Sequence, residues 1–231
     1  MSVRAIEALR ESGIIVGYKT YVDLIAHLIT PEQQVISSAM TREVERSRQA
    51  VELALQGNTV AVVSSGDPGV YGMAGILLEI VNDMKAEEQV AVEIVPGISA
   101  ANGAASSLGA PLMHDYVVIS MSDLLTPWEI IKKRIECAAA GDFVVAVYNP
   151  KSKKRVEQVK VLQQIMLEYK SPETPVGIVT NAKRGAAEVV NISTLANFTD
   201  EFIDMFSVVI IGNSQTYVKN GKMITPRGYK I

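Results

Sequence analysis

The stretch from Val60 to Gly72, VAVVSSGDPGVYG, constrains the fold of this chain most: four apolar residues run directly into a loop that carries Gly66, Gly69, Gly72 and Pro68. Val60 to Val63 has no polar alternation, so it predicts a strand buried on both faces, as in a parallel sheet covered by helices. Ligands of such sheets sit outside the carboxyl ends of the strands. The glycines permit close approach of backbone to a ligand, Pro68 stiffens the loop, and Asp67 is its one charge. The spacing is not GxGxxG and no Lys-Ser/Thr pair follows, which argues against both a nicotinamide fingerprint and a phosphate-binding P-loop. The loop predicts a ligand that is not held through phosphates.

Strand and helix signals alternate around this loop in the βα manner. Val3, Ile6 and Leu9 mark an amphipathic first helix, Gly13 precedes a short strand IIVG, and a charged helix opens at Thr41 and closes near Gln56. After the glycine loop come the helix MAGILLEIVNDMK and a strand VAVEIV from Val90 to Val95. That strand exits into a second loop of small residues, PGISAANGAASSLG, suited to a helix amino end packed tightly against a ligand or another backbone. Pro111 to Asp115 reads as a junction, giving one α/β domain over residues 1–113 and a second over 114–231. In the second, Thr126-Pro127-Trp128-Glu129 predicts a capping box with proline at the first helical position. Strands DFVVAVYN and VGIVTN follow, then an antiparallel run that ends in a hairpin turning on Asn220-Gly221. The expected architecture is therefore α/β: a parallel-sheet first domain and a mixed-sheet second domain, with the site in the cleft between them.

Four strand exits have unusual content: SSGDPGVYG, PGISAANG, YNPKSKKR and TNAKRG. The first two offer backbone and small side chains. The last two place Tyr148, Asn149 and Asn181 beside Lys151, Lys153, Lys154, Arg155, Lys183 and Arg184. Each loop alone reads as a tight turn or a solvated helix start; their joint occurrence predicts an apolar ligand portion on one side and an anionic partner on the other. Tyr18 and Tyr21, flanking Lys19, could line a pocket or cap a core.

Composition narrows the classes. The 231 residues carry a net charge of −3, which argues against sequence-independent nucleic-acid binding. No apolar run reaches bilayer length and the amino end mixes charge with helical spacing, so a cytoplasmic protein is expected. The single cysteine, Cys137, excludes a disulfide framework and a cluster built from this chain's own thiols, and is expected to be a buried structural thiol. His27 and His114 lack metal-ligand spacing, so no metal site is expected.

In this order the loops resemble those of the tetrapyrrole methyltransferases, over essentially the whole chain. VGYKTYVDLI, SSGDPGVYG, VEIVPGISAANGAASSLGAPL, VVAVYNPKSKKR, VTNAKR and IIGNSQTY read like the branch that methylates carbon 17 of precorrin-3B or cobalt-factor III in cobalamin synthesis. The resemblance implies two α/β domains, S-adenosylmethionine as methyl donor, a polyanionic tetrapyrrole substrate and a homodimer. Carried over motif by motif, it assigns donor contacts to Gly66, Asp67, Val70, Ser99, Ala100, Tyr148, Asn149 and Ala182, with Pro68 and Tyr71 shaping the first loop. The six cations named above are implied partners of the substrate's carboxylates. Acid/base residues for the accompanying ring contraction are not assigned; Tyr71, His114 and Asp115 are the candidates. One departure stands out: family members begin with a strand and a GxGPG loop ahead of the helix that here starts at Ser2. Its lack predicts an unpaired strand edge and weak binding. Other branch members, an enzyme acting on ribosomal RNA or a translation factor, and a non-catalytic donor-binding protein are the rival readings.

Overall fold

The computed structural model describes residues 1–39 and 42–230. They divide into two compact units, Met1–Ser99 and Ala100–Ile231.

The first unit opens with α1 (Val3–Glu11), whose amino end is capped by the Ser2 hydroxyl accepting from the Ala5 amide at 3.2 Å. Then come β1 (Ile14–Tyr18), the short helix α2 (Lys19–Leu24), β2 (Gln34–Ser38), α3 (Glu43–Leu55), β3 (Val60–Val63) and α4 (Ala74–Asp83). The predicted helix start at Thr41 lies outside the described residues. The strands form a parallel sheet in the order β2-β1-β3. Helices cover both faces: Leu9 of α1 packs with Ile15 and Ile25 on one, and Ala50 of α3 with Ile14 and Val16 on the other. Full burial belongs to β1, whose first four residues are all buried, whereas Val60 to Val63 are only half-buried. The apolar run marked a real parallel strand, but among the described residues β3 has a strand neighbour on one side only.

The predicted strand at Val90 to Val95 is not a strand. Its backbone carries no ladder bonds among the described residues, and β-propensity without a neighbouring strand gives no hydrogen-bonded ladder. The segment is held by side chains instead. Val90 and Val92 pack under α4, and Glu93 pairs with Arg4 at 2.6 Å.

The second unit begins with α5 (Ala100–Leu108) and β4 (Gly109–Ala110), then β5 (Tyr116–Ser120), α6 (Trp128–Ala140), β6 (Val144–Tyr148), α7 (Gln158–Leu167), β7 (Pro175–Thr180), β8 (Val189–Thr194), β9 (Ser207–Ile211), β10 (Tyr217–Lys219) and β11 (Lys222–Ile224). Its five-stranded sheet is mixed, in the order β5-β6-β9-β7-β8, with β5 and β6 parallel and the other pairings antiparallel. The hairpin β10/β11 turns on Asn220 and Gly221, at φ of 52° and 69°, as the Asn-Gly pair predicts.

Three expectations shift here. The boundary between units falls at Ser99/Ala100, ahead of the junction expected near residue 113, because α5 packs onto the second sheet: Leu108 lies so close to Gly177 that a Cβ there would meet it at 2.3 Å. At α6, Pro127 occupies the N-cap position and has no side-chain hydrogen bond to offer, so the capping box is not formed. The thiol of Cys137 is exposed rather than buried, since the inward stripe of α6 is Ile131, Ile135, Ala138 and Ala139. Among the described residues no helix is long and apolar enough to cross a membrane.

Candidate functional site

In the first unit, the loop after β3 is shaped by backbone and by one carboxylate. Asp67 accepts from the Gly69 amide at 2.8 Å and, across the unit, from the Gly97 amide at 3.0 Å, so it joins both small-residue loops. Gly97 lies so tightly against the first loop that a Cβ would sit 2.0 Å from the Gly66 carbonyl oxygen. Gly66 and Tyr71 have positive φ, 72° and 52°, and both are exposed. Pro68 donates no hydrogen bond but its carbonyl accepts from the Ala74 amide at 3.0 Å, which turns the loop into α4. Val70 is half-buried, with its amide bonded to the Asp67 carbonyl. Because β1 and β3 are parallel and adjacent, Tyr18 leaves the sheet beside this loop; its ring meets Tyr21 edge-on at 5.1 Å. Ser99 closes the unit, half-buried.

In the second unit, side chains do the shaping. The register places Val145 and Val176 both opposite Ile211, so β6 and β7 run the same way with β9 between them, and their exits lie at one end of the sheet, roughly 10 Å apart. Ser120 pairs with Tyr148, which brings the exit of β5 to the same end. The Tyr148 hydroxyl accepts from the Ala101 amide at 2.8 Å and so reaches the first turn of α5, next to Ala100. Ala100 and Ala182 both pack on the cluster formed by Ala104, Leu108 and Val179. Asn149, at φ 50°, donates from its amide to the Ser120 hydroxyl at 3.0 Å. Asn181 and Lys183 are also left-handed, at 53° and 59°. Tyr148, Asn149, Ala100 and Ala182 are thus gathered around one sheet end within this unit.

The six predicted cations part company. Lys151, Lys153 and Lys154 form no ion pair among the described residues, and the latter two are exposed. Arg155 is not a surface cation: it is 7% exposed, donating to the Asn149 carbonyl at 2.6 Å and to Asp123 at 3.4 Å. Closure of the turn by Ser152, whose hydroxyl accepts from the Arg155 amide, draws that side chain inward. The Arg184 guanidinium stands over the Phe206 ring at 5.7 Å. The Lys183 amide donates to Glu188 at 3.2 Å; a hydrogen bond from Ser107 is the main cause holding the Glu188 carboxyl below its ordinary range.

His114 and Asp115 immediately precede β5, roughly 15 Å from its far end at Ser120. They stand at the opposite end of β5 from the side chains gathered around Ser120 and Tyr148. His27 is exposed as well, and among the described residues no group of three or more His, Cys, Asp or Glu could hold a metal. Sequence reasoning missed the exit of β5, Ser120 to Leu125, which joins the cluster through Ser120 and Asp123. Its signal was there in two adjacent leucines within a polar turn.

The model for the tetrapyrrole (corrin/porphyrin) methylases matches residues 1–198. A cobalt-factor III methyltransferase of Priestia megaterium is 54% identical over 98% of this chain, which spans only 42% of that relative's length. A probable cobalt-factor III C(17)-methyltransferase of Salmonella typhimurium is 49% identical over 100% of this chain and 94% of its own. Among solved structures, the methyltransferase CobJ superposes with a TM-score of 0.92 at 36% identity, over 98% of this chain and 93% of that one. A uroporphyrin-III C-methyl transferase from Thermus thermophilus, complexed with S-adenyl homocysteine, shares the fold at a TM-score of 0.68 and 18% identity.

Proposed function

Since the chain belongs to the tetrapyrrole (corrin/porphyrin) methylase family, we propose that it transfers a methyl group from S-adenosylmethionine to carbon 17 of cobalt-factor III or precorrin-3B, with ring contraction, in cobalamin synthesis. The observation that carries this reading is the 49% identity to the Salmonella relative across the full length of this chain and 94% of that one. Relatives outside the carbon 17 branch are the alternative within the family.

The residues present suit the donor. The loop from Gly66 to Gly72 has no cation and offers backbone from glycines, which fits an adenosyl sulfonium and not a phosphate. Gly66, Asp67, Val70, Ser99, Ala100, Tyr148, Asn149 and Ala182 would hold it, with Pro68 and Tyr71 setting the shape of the first loop. When bound, the donor supplies an activated methyl group that an electron-rich carbon attacks directly. No protein nucleophile is required, so the work of this chain is orientation and exclusion of water. Tyr148, tied to the start of α5, and Asn149, tied to Ser120, are fixed before any ligand arrives. Lys151, Lys153, Lys154 and Lys183 are available to the acetate and propionate groups of the substrate. In this reading the protein is a cytoplasmic homodimer that engages no nucleic acid.

Incubating the chain with S-adenosylmethionine and either cobalt-factor III or metal-free precorrin-3B, followed by mass spectrometry, tests the proposal. Gain of one methyl group on either substrate is the expected result, and the pair tells which is natural; no gain on either counts against the reading. A second reading, donor binding without turnover, is favoured by one observation: among the described residues β3 pairs on one side only and Val90 to Val95 joins no strand ladder. Calorimetric binding of S-adenosylmethionine with no methylated product from either tetrapyrrole is the outcome that this second reading expects; turnover with either substrate refutes it.

A further inference from the structure

Leu125 and Leu124, at 96% and 78% exposure, are the two most exposed large hydrophobic side chains among the described residues, and they are neighbours in one turn. Isolated exposed leucines need no explanation, but an adjacent pair at a loop tip does. This turn is not slack. The Met121 amide donates to the Tyr148 carbonyl at 2.9 Å, the Ser122 amide to the Ser120 hydroxyl at 3.2 Å, and Arg155 grips Asp123 immediately before the leucines. On the far side, the Pro127 carbonyl accepts from the Ile130 amide as α6 begins.

Arg155 is an expensive way to hold a turn. Its guanidinium is withdrawn from water, its partner Asp123 sits at 3.4 Å, and its Nε–H has no hydrogen-bond partner among the described residues. Buried ion pairs with incomplete hydrogen bonding contribute little net stability. Two touching turns therefore combine an apolar pair left in water on one with a cation taken out of it on the other, and stability explains neither. A ligand with a broad apolar face explains both. The adjoining turn, through Lys151, Lys153 and Lys154, supplies positive charge with no ion pair among the described residues, which suits a ligand whose rim is anionic.

We propose that Leu124 and Leu125 form an apolar lip that takes the face of the macrocyclic substrate, and that Arg155 is the positioning residue that keeps this lip in register with Tyr148 and Asn149. The inference rests on the tetrapyrrole reading above and adds residues that fix how the ring lies. All its parts belong to the second unit.

Titration of the full chain with cobalt-factor III, followed by the ligand's visible absorbance in the absence of S-adenosylmethionine, measures the lip directly. The double variant Leu124→Ser/Leu125→Ser should bind cobalt-factor III roughly tenfold or more weakly. Its melting temperature and its calorimetric affinity for S-adenosylmethionine should be unchanged, because both side chains project into solvent. Arg155→Lys keeps the charge but loses the two-pronged reach. It should weaken the same binding and speed hydrogen exchange over residues 121–125. Wild-type binding matched by the double variant overturns the lip while leaving the parent reading intact, as does a change of oligomeric state with unchanged affinity. Weakened binding by Arg155→Lys without faster exchange overturns its positioning role. A wild-type chain that binds no tetrapyrrole sinks the parent reading and the lip together.

Discussion

The two units build their loops from opposite materials. In the first, the glycine loop takes its shape from what is missing: no Cβ at Gly97, which lets two backbones touch, and one carboxylate, Asp67, gathering the freed amides. In the second, the exits of β5 and β6 are laced by side chains, with Asn149 on Ser120, Tyr148 on α5 and Arg155 on Asp123. The difference teaches where each is vulnerable. Adding an atom breaks the first, and removing one loosens the second.

Gly97→Ala should therefore have the largest effect. The new methyl would lie 2.0 Å from the Gly66 oxygen, a backbone atom that cannot rotate away, so both loops must separate. A loss of about 3 kcal/mol in stability is expected, with at least a hundredfold loss of S-adenosylmethionine affinity by calorimetry. Retention of wild-type affinity would show that the close approach is incidental.

Asp142→Asn probes the second unit's reliance on side chains away from the sheet end. Burial pushes the Asp142 carboxyl up, but the Ser214 hydroxyl, the Lys170 ammonium and the Ser214 amide together bring it below the usual carboxylate range. The Lys170 side chain is 2% exposed, so losing its counterion should cost about 2 kcal/mol at neutral pH, discounted for the half-exposed carboxylate. A depressed pKa stabilises the fold above the unfolded value and is lost as pH falls through the folded one. Denaturant titrations of wild type and variant should thus converge below about pH 4; a constant gap would place the effect in packing.

Tyr148→Phe should be the mildest. It removes one acceptor and leaves the buried Ala101 amide unpaired, about 1 to 2 kcal/mol by thermal or denaturant unfolding. S-adenosylmethionine affinity should fall only a few-fold, far less than for Gly97→Ala. Equal losses in the two variants would erase the contrast between the units.

Much of this was legible in the residues. Val144 to Tyr148 and Pro175 to Thr180 announce buried strands by composition, and Asn220-Gly221 announces its hairpin. The loop Gly66 to Gly72 could be singled out because glycine and proline fix backbone options locally. Val90 to Val95 read equally well as a strand but was not one, because a strand exists only when a neighbour completes its ladder. Arg155 read as a surface cation, since nothing local in KSKKR tells which basic side chain the turn folds inward. Cys137 was misplaced by a fraction of a helical turn.

The sequence by itself determined the α/β class, the buried strands of the second unit, the family and the residue content of the loops, because these depend on side-chain type, spacing and local backbone freedom. The tertiary structure alone decided which strand of the first sheet is central, which cation is buried, and that the exits of β5, β6 and β7 share one end. Those are outcomes of pairing and register between residues far apart in the chain, and no short-range pattern encodes them.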